Sequence, residues 1–142
     1  MPYRFVEGVA IADVTFEATG KTLEELFESA GRALTNSMVS DLATVESKES
    51  MKFSLRNVSE ERLLHDFLQE MIYYKDAEMM LFDGYSLKIE KDEEGFSLVA
   101  ILKGERIDAK KHDLIVDVKA VSWHMFKLEK GKEWKALVIL DV

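Results

Sequence analysis

The sequence predicts an α+β fold in two layers, with two main helices on one face of a largely antiparallel sheet, and three observations carry this. Two stretches, Leu23 to Leu34 and Leu63 to Tyr74, space their apolar residues three and four apart, as amphipathic helices do. At least six others alternate apolar and polar residues, the pattern of strands with one buried and one wet face. Polar turns such as Asp92-Glu93-Glu94-Gly95 and Lys130-Gly131-Lys132 join successive runs, as hairpin loops do.

The first long strand is set by Val14, Phe16 and Ala18, which recur at every second position and leave Asp13, Thr15 and Glu17 on the opposite face. Thr19-Gly20-Lys21 turns the chain, and Thr22-x-x-Glu25 is a capping box, an oxygen cap and a carboxylate that each satisfy a free N–H at a helix start. Leu23, Leu26, Phe27, Ala30, Ala33 and Leu34 then form the stripe that packs the first helix on the sheet. Ser37 to Glu49 has no period and is expected to end this helix and connect onward.

Met51, Phe53 and Leu55 alternate with Lys52, Ser54 and Arg56 as the next strand. Ser59, followed by Glu60 and Glu61, places a cap and two acids at the positive end of a second helix, roughly Glu60 to Asp76. Its broad apolar face, from Leu63 through Phe67 to Ile72, suits the main helix of the core. From Leu81 the strand pattern dominates: Tyr85, Leu87 and Ile89; Phe96 to Leu102; Val116, Val118 and Ala120 leading into Val121 to Glu129; and Trp134 to Val142. Gly104 to Asp113 interrupts it as a polar loop or short helix.

At 142 residues and 47% apolar, the chain is expected to form a single domain spanning 1–142. With 27 acidic against 19 basic side chains the net charge is −8, which disfavours direct binding to phosphate backbones. The absence of cysteine rules out disulfides and thiolate metal sites. Charges at Arg4, Glu7, Asp13 and Glu17 break any secretory core near the start, and no run approaches the roughly 20 apolar residues of a membrane span. A cytoplasmic protein is the expectation.

Several chemistries lose support from motif spacing. The seven glycines form no phosphate-binding loop, and His65, His112 and His124 lack the HExxH spacing of zinc proteases. No GxSxG elbow is present. Oxygen chemistry remains. If the first long strand and the last are neighbours, Asp13, Asp141 and the carboxylate of Val142 converge, and a hard divalent ion would relieve their repulsion.

These pieces resemble the archease family along essentially the whole chain. The resemblance rests on Gly20-Lys21-Thr22-Leu23-Glu24-Glu25-Leu26-Phe27 at the first helix and the Leu-rich second helix. It continues in Asp108-Ala109-Lys110-Lys111-His112, in Val118-Lys119-Ala120-Val121-Ser122-Trp123-His124, and in the closing Asp141-Val142. Where the family has His-Thr before Ala-Asp, this chain has Ala10-Ile11.

The resemblance implies a fold built around a strand-helix-strand-strand module. It also implies an accessory protein rather than an enzyme, one that promotes guanylylation and repeated turnover of an RtcB-type RNA ligase in tRNA splicing. The family's metal positions fall on Asp13, Asp141 and Val142, with calcium the ion put first, and Lys119 matches a family lysine that could contact a phosphate or a partner's acid. Two other readings stay open: a chaperone-like modulator of a tRNA cytosine methyltransferase, and a metal-dependent hydrolase.

Overall fold

Thr22 sets the direction of the chain after its first long strand. In the computed structural model, which describes residues 2–7 and 13–142, Thr22 Oγ1 accepts from Glu25 N–H at 3.1 Å. The Glu25 carboxylate reaches back to Lys21 N–H at 2.9 Å, one residue beyond the usual partner of a capping box. Strand β2 (Val14–Gly20) thereby turns directly into α1 (Leu23–Met38), whose Leu26, Phe27, Ala30, Ala33 and Leu34 are fully buried.

After one 3-10 turn at Leu42–Thr44 comes β3 (Glu49–Asn57), then α2 (Glu60–Glu78), begun by Ser59 accepting from Arg62 N–H at 3.2 Å. Strands β4 (Met80–Asp92) and β5 (Gly95–Arg106) form a long hairpin. Its two-residue tip depends on Gly95, whose φ of 142° is closed to side-chain-bearing residues, and on Asp92 Oδ1 accepting from the Glu94 and Gly95 amides.

Every strand pairing is antiparallel, and the strands divide into two sheets. One has the order β3-β5-β4. In the other, β8 (Trp134–Asp141) is central: β1 (Tyr3–Val6) and β2 lie to one side, β6 (Ala120–Val121) and β7 (Lys127–Lys130) to the other. Helix α1 packs between β2 and β4, and α2 lies across the three-stranded sheet and reaches β6 and β7. The core is therefore shared, with Phe16 and Val138 from one sheet, Leu98 and Leu102 from the other, and Phe27 and Phe67 from the helices. The two Phe rings sit 5.4 Å apart.

The structure differs from the sequence-based expectation over Val116 to Glu129. Apolar alternation there predicts an unbroken strand, yet only Ala120–Val121 and Lys127–Lys130 pair. Between them the chain turns, with Met125 at φ 57° and Phe126 N–H donating to Trp123 O at 3.2 Å. The physical reason lies in α2. Its side chains take the hydrogen bonds that a neighbouring strand would make: His65 Nε2 meets Val121 O at 3.0 Å, Gln69 accepts from Val121 N–H, and Glu61 accepts from Leu128 N–H at 3.0 Å. Lys75 Nζ donates to Val118 O at 2.7 Å.

The polar stretch from Gly104 also resolves. Strand β5 runs through Arg106, and a turn follows in which Asp108 O accepts from Lys111 and His112 N–H at 3.0 and 2.7 Å.

Candidate functional site

The β2–β8 register decides whether the predicted acidic residues can meet. Thr15 lies opposite Ile139 and Val14 opposite Leu140, so Asp13, which precedes β2, and Asp141, which ends β8, follow the last pair at the same end of the two strands. Residues directly opposite in an antiparallel pair share a face. Val14, Phe16, Val138 and Leu140 pack into the core, and Asp141 alternates with Leu140 on the other face of β8. Asp13 is exposed, Asp141 is half-buried, and Val142 packs its side chain against the core.

Lys119 reaches the same end of the sheet from the other side of β8. Its N–H donates to Asp141 O at 2.8 Å, and the next residue, Ala120, pairs with Asp141. Lys119 is exposed and forms no ion pair among the described residues. All four residues singled out from the sequence thus lie at one end of three adjacent strands. Ala10-Ile11 lies outside the described residues.

Two carboxylates and the main-chain carbonyl of Val142, all oxygen and partly open to water, are donors of the kind that a hard cation such as calcium takes. Among the described residues, no three His, Cys, Asp or Glu side chains gather into a metal-ligating group, so Val142 would have to complete the set.

Sequence reasoning missed a second polar centre. Glu105, at the end of β5, has a side chain only 6% exposed, and Lys111 Nζ donates to its two oxygens at 2.9 and 2.7 Å. Glu46 N–H donates to Glu105 Oε2 at 2.6 Å, and the Lys111 ammonium also bonds the Glu46 carboxylate. His112 accepts from Asp108 N–H through Nδ1 at 3.0 Å and turns Nε2 toward Glu105 Oε2 at 3.4 Å. Burial alone would raise the Glu105 pKa, but these hydrogen bonds and the Lys111 charge outweigh it and hold the carboxyl at about 2. The signal lay in Asp108-Ala109-Lys110-Lys111-His112, whose role here is to seal the sheet end around one buried carboxylate.

A third feature joins α2 to the segment carrying Lys119. His65 is buried and stacks on the exposed Trp123, ring centroids 3.7 Å apart and planes 4° from parallel, with Phe126 edge-on at 5.2 Å. Burial pushes the His65 pKa below its ordinary value, against the bond to Val121 O and the charge of Asp66. Lys75, 5% exposed, also donates to Asp117 and is ion-paired with Asp76. His124 is exposed.

A family model, described as the archease protein family (MTH1598/TM1083), matches residues 3–142. The chain belongs to the archease family. It is 35% identical over 133 residues to a protein archease of Pyrococcus abyssi, covering 92% of this chain and 93% of the relative. Its identity to a protein archease of Methanopyrus kandleri is 32% over 143 residues, with 100% of both chains covered. The solution structure of Methanobacterium thermoautotrophicum protein 1598 superposes with a TM-score of 0.84 at 34% identity and 99% coverage of each chain. A crystal structure from Thermotoga maritima, described as an archease and possible chaperone, shares the fold at TM-score 0.62 and 19% identity, covering 94% of this member and 93% of that chain. No helix among the described residues is long and apolar enough to cross a membrane.

Proposed function

We propose that this chain is an accessory protein of an RtcB-type RNA ligase in tRNA splicing, promoting guanylylation and multiple turnover rather than catalysing a reaction itself. Asp13, Asp141 and the main-chain carbonyl of Val142 would hold a divalent ion, calcium first, which supplies a fixed positive charge at the sheet end. Lys119 is the adjacent cation available to a phosphate or a partner's carboxylate. The observation that supports the reading is the β2–β8 register, which brings together the strand ends that Asp13 and Asp141 adjoin, with Lys119 N–H bonded to Asp141 O. Family membership supports the ligase as partner, and a cytoplasmic setting follows from that role.

The test is multiple-turnover RNA joining by the cognate RtcB-type ligase with GTP and Mn²⁺. The native protein should raise turnover and Asp13→Ala should not, while both melt alike. A variant that stimulates normally would remove the acidic end from the function.

A second reading, a chaperone-like modulator of a tRNA cytosine methyltransferase, draws support from the relative described as a possible chaperone. It predicts protection of the methyltransferase from aggregation without any requirement for GTP. Hydrolase activity is the weakest reading, because among the described residues no general base or phosphate-binding loop accompanies the carboxylates.

A further inference from the structure

Leu114 to Val116 cross the C-terminal end of α1 as an extended strip held by its backbone. Ile115 N–H donates to Met38 O at 2.8 Å, Ser40 N–H donates to Asp113 O at 3.0 Å, and Val39 and Leu114 form an isolated bridge. The side chains are left in solvent, Leu114 at 45% and Ile115 at 56% exposure. On one side of the strip lies an apolar crevice of about 200 Å³ walled by Met38, Leu81 and Ile107. On the other a cleft of about 400 Å³ is lined by Phe5, Val6 and Val14 and reaches Asp13. Val58 in the turn before α2, Tyr73 on α2 and Val99 on β5 are exposed singly, whereas Ile115 and Val116 line both hollows and make the ledge a contiguous patch of the kind that marks association sites.

Its charge identifies the occupant. Glu7, Asp13 and Asp117 line its two hollows as exposed acids, while exposed Asp113 stands beside Leu114 at the end nearer Lys110 and Lys111. The neighbouring base Lys75 is buried, its charge taken up by Asp76 and Asp117. An apolar floor with an acidic rim complements a segment carrying large apolar side chains between lysines or arginines.

We propose that this ledge is where the partner ligase docks, through such an apolar segment with cationic flanks. The inference rests on the accessory role proposed above and adds an apolar surface that adjoins the carboxylate end at Asp13, with a floor, Leu114 and Ile115, that supplies no ligand to it. Docking and stimulation are then separable: the ledge sets how much protein is needed, and the carboxylate end sets what the bound protein achieves.

The experiment titrates the cognate RtcB-type ligase with native protein, a Leu114→Ser/Ile115→Ser double variant and Ile115→Arg, following ligation turnover and direct binding at low and high salt. Thermal melts establish that each variant is folded. The double variant should need at least about 10-fold more protein for half-maximal stimulation and reach the same plateau. Ile115→Arg should weaken binding further at low salt than at high salt, because the new charge meets the segment's cationic flanks. Unchanged half-maximal concentrations in folded variants, or tighter binding by Ile115→Arg, overturn the ledge while the accessory role stands. Absence of both binding and stimulation by the native protein overturns the accessory role, and the ledge with it.

Discussion

Lys111 holds both carboxylate oxygens of Glu105, at 2.9 and 2.7 Å, across a turn that the sequence presents as a plain polar loop. The pair closes the end of the three-stranded sheet, and Glu46 and His112 complete it.

This arrangement predicts an acid-sensitive stability. The Glu105 carboxyl is held at about 2 against an ordinary 4.5, so the stability it contributes is present above pH 4.5 and is lost as pH falls toward 2. The contribution is on the order of 2 kcal/mol. Thermal melts across that window should show the native protein and Glu105→Gln converging at the acid end, with the variant lower at neutral pH.

His65 predicts a second pH response with its own reporter. A pKa lowered by burial means that its contribution is present above the ordinary 6.5 and declines as pH falls through the lowered value. Protonation beneath the stacked Trp123 should quench its emission. In a Trp134→Phe background, the fluorescence midpoint should lie below 6.5 and vanish in His65→Phe.

Gly104 sits where β4 bulges between Phe82 and Gly84, and a Cβ there would overlap the Leu81 carbonyl oxygen. Neither strand can give way while both remain paired. Gly104→Ala should cost about 3 kcal/mol, read as a lower urea midpoint with an unchanged slope.

The carboxylate end predicts a ligand effect on stability. Calcium at about 100 times its Kd should stabilise the native protein by roughly 2.7 kcal/mol. Asp13→Asn and Asp141→Asn should each remove most of that gain while leaving the calcium-free melt unchanged.

Local chemistry was legible in the sequence wherever one residue acts on its near neighbours. Thr22 and Glu25, Ser59, the Val14-Phe16-Ala18 alternation and the Asp92–Gly95 tip each formed as their spacing required. Asp13 and Asp141 were legible only on the condition that the first long strand and the last are neighbours, because their juxtaposition depends on strand order, and Lys119 only through a resemblance. What was not legible depends on distant partners. The division of the strands into two sheets follows from long-range pairing. Val116 to Glu129 looked like strand because nothing local reveals that Glu61, His65 and Gln69, four residues apart on a helix, would bond its backbone. Nothing local marks Lys75 or Glu105 for burial, for the same reason.

The polar side of α2 has a consequence for how these molecules behave in a crowd. Strands β6 and β7 form the outer margin of their sheet, where unpaired amides and carbonyls would invite a strand from another chain. Glu61, His65, Gln69 and Lys75 occupy backbone positions along that margin from within. That margin is thereby guarded against edge-to-edge pairing by the molecule's own helix, without a proline or a bulge on those strands.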